Sequence, residues 1–429
     1  MIKRLALAAA FALCISPCVC AAETIDIKKA LEITLRDNIS LLSLKQEIVK
    51  AYGVKIRADG ALLPQVTINA NANKQRTPQT NDGSDRSDSE SAAVTLEETL
   101  YSGGKIMAGI AQSDQVKNMA ELELRYGEKQ TAGDLYGYFY SVILRKKQIE
   151  AEEAAIATSE HHVKQVKKMI ELGLANRLEM IRASQQLAQN KSDLAVAKAL
   201  YETSVIALKN YMSLEPSAAI AVDGNLYEPV VSGDAQNSTR LAMARRDDAE
   251  KLRETIKYQT NQIKIERSAL LPKVTAGVTT GPTTPYQQKD RTEDTWRAEI
   301  AFSMPIFDRN AARSAIINAE AVQAQNKLSL RQKELDIKSD VENAWSNIRR
   351  AREAMDAQRE ALAFAKETLR LAEAGFREGV TPQFDLLDAQ SKLTDAQLSY
   401  NTAQYACIMA AVELKLTEGT ILEWDGDVK

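Results

Sequence analysis

Ala61-Leu62-Leu63-Pro64-Gln65-Val66-Thr67 returns as Ala269-Leu270-Leu271-Pro272-Lys273-Val274-Thr275, 208 residues further along the chain. Downstream the correspondence continues at an offset of 206. Glu171-Leu172-Gly173 matches Arg377-Glu378-Gly379, and Leu178-Glu179-Met180-Ile181-Arg182-Ala183 matches Phe384-Asp385-Leu386-Leu387-Asp388-Ala389. The repeat is far longer than the roughly 20–50 residues of a solenoid unit. The chain is therefore read as two copies of one large unit forming a pseudo-twofold protomer.

The segment after each Leu-Leu-Pro alternates. Val66, Ile68, Ala70 and Ala72 interleave with Gln65, Thr67, Asn69 and Asn71; Val274, Ala276 and Val278 interleave with Lys273, Thr275 and Thr279. A second alternating segment completes each copy. Ala92, Val94, Leu96 and Leu100 stand against Ala93, Thr95, Glu97 and Thr99, with Glu98 interrupting the apolar row. In the other copy Trp296, Ala298, Ile300, Phe302, Met304 and Ile306 stand against Arg297, Glu299, Ala301 and Ser303. Period two means strands, and about ten residues is the length of a strand that crosses a bilayer. Trp296, Tyr101 and Phe307 sit near strand ends, where interfacial aromatics belong. The polar stretches Thr77 to Glu90 and Thr283 to Asp294 read as outward-facing loops.

Between these hairpins the chain reads as helix. No proline lies between Pro78 and Pro216 or between Pro305 and Pro382. Proline breaks helix interiors, so Gly104 to Leu172 and Asp308 to Ala374 can each run about 100 Å at ~1.5 Å per residue. Asp26 to Ala58 with Leu178 to Ser213, and Leu241 to Leu270 with Pro382 to Thr417, supply two half-length helices per copy. Stacked end to end, each pair matches one long helix. Leu386, Ala389, Leu393, Ala396, Tyr400, Ala403, Cys407, Ala410 and Leu414 step by threes and fours. Met180, Ala183, Leu187, Asn190, Leu194, Ala197, Tyr201, Ser204 and Leu208 do the same 206 residues earlier. That is coiled-coil spacing, and Cys407 within it reads as a small core residue.

At the N-terminus, Lys3 and Arg4 precede an apolar run from Leu5 to Ile15 and small residues up to Ala22. This is the pattern of a cleaved secretory signal. Cys14, Cys18 and Cys20 fall inside it, preceded by residues that suit lipidation poorly (Pro17, Val19), so Cys407 alone remains and no internal disulfide is possible. No apolar run is long enough for a transmembrane helix, so a membrane span has to be a closed barrel. Four strands cannot close one, since single-chain outer-membrane barrels start at about eight; three chains would supply twelve. The formal charge is −3, and removing Lys3 and Arg4 takes it to −5. No basic patch points to nucleic acid.

With these residues in hand, the chain resembles the TolC-like outer-membrane efflux proteins. The resemblance rests on the duplicated Leu-Leu-Pro-x-Val entry, the exit Tyr101-Ser102-Gly103-Gly104, and Gly379-Val380-Thr381-Pro382-Gln383-Phe384-Asp385-Leu386-Leu387-Asp388-Ala389-Gln390. It implies a mainly α fold with a membrane β-barrel. Four strands per chain would close a 12-stranded barrel in a homotrimer, above an α-helical periplasmic tunnel. It further implies outer-membrane lipid around the barrel, and a periplasmic adaptor and inner-membrane transporter as partners. The expected organisation is a signal peptide (1–22), a first repeat (23–213, hairpin about 64–102), an equatorial linker (214–240), a second repeat (241–417, hairpin about 272–307) and an equatorial tail (418–429).

The resemblance places the periplasmic entrance at two helical tips, from Gly173 to Asn176 and from Gly375 to Pro382. The family's paired entrance aspartates fall on Asp385 and Asp388. Three residues apart on a helix, they share a face, and three copies would give a ring of carboxylates that selects cations. Against this stand helix-end roles: Thr381 as N-cap and Pro382 as first helical residue, Asp385 favoured by the helix dipole, and Glu179 in a capping box with Asn176. Where members of the family can carry a tyrosine and an arginine that latch the closed entrance, this sequence has Phe376 and Thr381.

No catalytic constellation competes. His161 and His162 are adjacent on a long helix and point to different sides, and neither a metal cluster nor a phosphate-binding glycine loop occurs. The expectation is a non-enzymatic exit duct for small molecules such as drugs or metals, without cofactor. Protein secretion of the type I kind, and a non-channel coiled-coil stalk or adhesin, are the alternatives.

Overall fold

The computed structural model describes residues 23–76, 86–283 and 293–424. The segment read as a signal, the tips of the two stretches read as outward loops and the last five residues lie outside them. Six strands and eight α-helices follow in the order β1 (Glu23–Ile25), α1 (Ile27–Asp37), α2 (Ile39–Gly60), β2 (Gln65–Arg76), β3 (Arg86–Tyr101), α3 (Lys105–Glu171), α4 (Arg177–Tyr211), β4 (Ile220–Val222), α5 (Ala235–Arg245), α6 (Asp247–Ser268), β5 (Lys273–Thr283), β6 (Glu293–Ser303), α7 (Ala311–Arg377) and α8 (Gln383–Glu418). A 3₁₀ turn, Ile421–Glu423, closes the described chain. Among the described residues no helix is long and apolar enough to cross a membrane. The chain forms two compact units. Of the described residues, one holds those up to Thr34 with Leu135–Tyr227 and Ala357–Tyr405; the other holds those within Leu35–Asp134 and Glu228–Asp356 and from Ala406 onward.

The duplication is visible hydrogen bond by hydrogen bond. At the first strand entry the amides of Ala61, Leu62 and Leu63 donate to the carbonyls three residues back; Ala269, Leu270 and Leu271 do the same. Pro64 and Pro272 then end each helix, because proline lacks the N–H and disfavours helical backbone in the residue before it. At the strand exits, Gly103 (φ 61°) and Gly104 (φ 81°) correspond to Arg309 (φ 59°) and Asn310 (φ 64°), all left-handed. The first copy needs glycine for a second reason. A Cβ on Gly103 would lie 2.8 Å from the Cβ of Leu271, whereas one on Gly104 would meet open space. Gly103→Ala is therefore expected to destabilise by about 2–3 kcal/mol, combining overpacking with the left-handed backbone. Gly104→Ala should cost only about 1 kcal/mol. Thermal unfolding of the two purified variants checks the ranking.

In the second unit β2, β3, β5 and β6 form one antiparallel sheet in that order, leaving β2 and β6 as edges. Cross-strand register assembles two faces. Val66, Leu96, Val278 and Ala298 share one rung of the apolar face; Gln65, Glu97, Gly277 and Glu299 share one of the polar face. The Oγ1 atoms of Thr95 and Thr279 are hydrogen-bonded at 3.2 Å on the polar side. The register shifts between Thr99 and Tyr101, so that Leu100 is the bulged residue and Tyr101 pairs with Val274. The bulge brings Tyr101 onto the apolar face beside Val274 and Phe302. It does not remove Glu98, which stays opposite Ala276.

Several boundaries differ from expectation. The helix read over 26–58 is two helices, because the Asn38 side chain accepts from the amides of Ser40 (3.0 Å) and Leu41 (3.3 Å) and starts α2 anew. The second copy breaks at the equivalent residue, Arg246, whose backbone is extended. α5 begins at Ala235, inside the expected linker, because Asp234 caps it through the Asn237 amide at 2.7 Å. β3 begins at Arg86, within the expected loop. The short strands β1 and β4 pair in parallel as a separate sheet in the first unit. In the second unit, the end of α8 is tied to α5: Ser238 Oγ donates to Glu418 at 2.5 Å and accepts from the Trp345 indole at 3.1 Å.

Every seam residue named from the sequence is buried or half-buried. Cys407 is one of them, and burial raises its thiol pKa, the opposite of an activated nucleophile. Asn190 places an amide in the seam. Its amide donates to Ser159 Oγ (2.8 Å) and the Ala155 carbonyl (3.3 Å) on α3 while its oxygen accepts from Gln186 (2.9 Å). A satisfied polar group in a coiled-coil seam fixes register.

Candidate functional site

In the first unit the two helical turns are built alike. Gly173 and Gly379 both take left-handed backbone (φ 74° and 77°) just after a helix. Around each, paired amide bonds run back into the last turn: Gly173 to Ile170 and Leu174 to Met169, then Gly379 to Phe376 and Val380 to Gly375. This is the helix-ending pattern that favours glycine. Beyond the turn the copies diverge at one residue. Asn176 caps α4, its oxygen accepting from the Glu179 amide (3.0 Å) while the Glu179 carboxylate accepts from the Asn176 amide (3.1 Å). The equivalent of Asn176 is Pro382, whose carbonyl accepts the first bonds of α8 from Asp385 and Leu386.

Pro382 thus stands at the cap and Gln383 is the first helical residue, one place later than the sequence suggests. Thr381 does not cap α8. It packs on Gly375, where an added Cβ would collide with the Thr381 hydroxyl oxygen. The substitution also settles what Asp385 can do. It stands at the position of Glu179, but proline has no N–H for its carboxylate to accept from, and the side chain stays exposed. Asp388, half-buried, is paired with Lys392 at 2.6 Å and lines an open groove that also carries Arg182 from α4.

Behind these turns lies a contact the sequence does not announce. His162 is 2 % exposed, while its neighbour His161 faces solvent. The ring of Phe376 meets His162 edge-on, centroids 5.3 Å apart. Gln383 Nε2 lies 3.1 Å from His162 Nε2 and donates to the Glu179 carbonyl at 2.8 Å. Residues from α3, α4, α7 and α8 thereby meet at one point, and Phe376 spends its ring inside the protomer. Burial lowers the His162 pKa, and His161 lowers it further. The folded chain therefore holds this proton less firmly than the unfolded one, and unfolding takes up a proton as the pH falls through the ordinary histidine value of about 6.5. Its contribution to stability is present above that pH and is lost as pH falls. The melting temperature should therefore decline between pH 7 and 5, and His162→Leu should flatten that decline.

The same duplication appears in comparisons with known proteins. The family described as outer membrane efflux protein matches this chain twice, over residues 34–213 and 239–420, once per copy. The pyoverdine export outer membrane protein OpmQ of Pseudomonas putida is 23 % identical over 406 residues, covering 91 % of this chain and 84 % of OpmQ. TolC of Vibrio cholerae is 23 % identical over 403 residues, covering 90 % of this chain and 88 % of TolC. Among solved structures, CusC superposes with a TM-score of 0.80 at 17 % identity, covering 92 % of both chains. With both halves matched, the chain belongs to the outer membrane efflux protein family, channels of the outer membrane with a periplasmic tunnel and no enzymatic activity.

Proposed function

We propose that this protein is the outer-membrane exit duct of a tripartite system exporting small molecules, assembled as a homotrimer. The observation that carries the assembly is the sheet with its apolar face and its two unpaired edges, β2 and β6. Every residue of β6 is exposed in the single chain. An open edge is not tolerated in hydrocarbon, and pairing β6 of one copy with β2 of the next in a ring of three closes twelve strands. Trp296 near one end of the apolar face, and Tyr101 with Phe302 near the other, fit the two aromatic girdles of such a barrel.

The half-helices α4 and α8 then form the entrance, with Gly173, Glu179, Gly375, Phe376, Gly379 and Thr381 shaping its turns and Asp385 presenting charge. The exposed Leu174 and Val380 at the turns offer the surface for a periplasmic adaptor, which in turn engages an inner-membrane transporter. Small-molecule export is favoured over protein secretion by the match to OpmQ along nearly the whole chain.

Protein extracted from outer membranes should cross-link to a trimer and conduct ions in a planar bilayer. A monomer that neither conducts nor fractionates with the outer membrane would establish the stalk reading instead. Deleting the gene should raise sensitivity to small toxic compounds. A loss of one secreted protein from the medium, with that sensitivity unchanged, would move the assignment to protein secretion.

A further inference from the structure

A cavity of about 340 Å³ opens in the first unit among α3, α4, α7 and α8, and Glu152 stands in its wall. Glu152 is 8 % exposed, and among the described residues no hydrogen bond or ion pair reaches its carboxylate. One neutral neighbour behaves differently. Asn190, equally buried on the same wall, has both its amide and its oxygen engaged. Asp193 and Asp395 line the cavity too, and Lys366 is the one cation among the lining residues. Burying an unpaired carboxylate is costly, and here further negative charge stands nearby. Burial raises the Glu152 pKa, with Asp193 and then Asp395 adding to the shift.

We propose that this cavity binds a small organic amine, its ammonium group paired with Glu152. The volume falls in the range of small-molecule sites, about 300–1,000 Å³, and is far larger than a bare ion requires. A metal ion would need several converging donors, and no group of three His, Cys, Asp or Glu side chains among the described residues could hold one. The remaining wall suits a short alkyl diamine. Leu369 and Leu393 offer contact for methylenes, and the buried Gln390 Oε1, without a hydrogen-bond partner, is a second acceptor. A ligand there would bridge all four helices. The site rests on the single protomer and does not depend on the barrel or on what the duct exports.

Titration of the detergent-purified protein with 1,4-diaminobutane, at ionic strength held constant with NaCl, tests the assignment. A saturable rise in melting temperature is expected, with affinity weakened at least tenfold in Glu152→Gln and two- to fivefold in Asp395→Asn. Without amine, Glu152→Gln should itself melt higher than wild type at pH 7–8. A carboxyl whose pKa is raised in the folded state costs stability where it is ionised, and that difference should shrink as pH falls. Ala155→Lys, one turn along α3 on the same wall, keeps Glu152 while placing an ammonium in the cavity, and should abolish binding. Unsaturable stabilisation, unchanged affinity in Glu152→Gln or Ala155→Lys, or equal displacement by MgCl₂ would each overturn the proposal.

Discussion

Arginine in place of Ala298 should deplete the protein from the outer membrane, while arginine in place of Ala301, on the same strand, should leave it there. The two alanines occupy opposite faces of β6. Ala298 shares its rung with Val278, Leu96 and Val66; Ala301 pairs with Thr275, which pairs with Thr99 on the polar face. Both alanines are exposed in the single chain, so neither substitution disturbs packing within the protomer. In a barrel of three copies they part company. An arginine facing lipid near the midplane costs about 2–4 kcal/mol, hence about 6–12 kcal/mol per trimer. An arginine facing the water-filled lumen costs little and alters conductance. The rung of Ile300 would be a poorer choice, because Ala276 and Glu98 follow across the sheet and the carboxylate could neutralise the new charge. Membrane fractionation with a trimer assay reads the outcome. Equal retention of both variants would mean that the apolar face does not meet lipid.

Much of this architecture was legible because the chain states it twice. Alternation located all four long strands, and proline spacing bounded the 67-residue helices α3 and α7. The helix breaks were harder to read. Asn38 and Arg246 are ordinary in a helix by composition, and their equivalence emerges only when both are seen at the same place in the repeat. β1 and β4, three residues each, carry too little pattern to be distinguished from loop. Glu179 was read correctly as half of a capping box, since both partners are local. Thr381 was misread because a threonine before proline suits a cap, yet its hydroxyl packs on Gly375. His162 lies outside local reasoning altogether. Its partners Gln383 and Phe376 come from more than 200 residues away, and only the packed helices bring them together.

If α4 and α8 form the entrance as proposed, Asp385 and Asp388 should not contribute equally to ion selectivity. From the sequence, Asp385 and Asp388 look like one acidic face, and six carboxylates in a trimer. The Asp388 charge, however, is offset by Lys392 one turn on, with Arg182 in the same groove. That ion pair is exposed, so its worth in stability is small, but its net charge is zero. Among the described residues no ion pair reaches the exposed Asp385, and Pro382 has no N–H to hold its carboxylate in the way the Asn176 amide holds Glu179 in the first copy. At physiological ionic strength, charges beyond about 8 Å are screened, so local imbalance decides selectivity. In planar bilayers Asp385→Asn should reduce the cation-to-anion permeability ratio several-fold. The charge-conserving double variant Asp388→Asn/Lys392→Met should leave it close to wild type, and Lys392→Met alone should raise it by freeing a carboxylate. If instead the double variant lost selectivity and Asp385→Asn kept it, Asp388 would be the charge the permeating ions meet, and Lys392 would have to turn away from it in the assembled entrance.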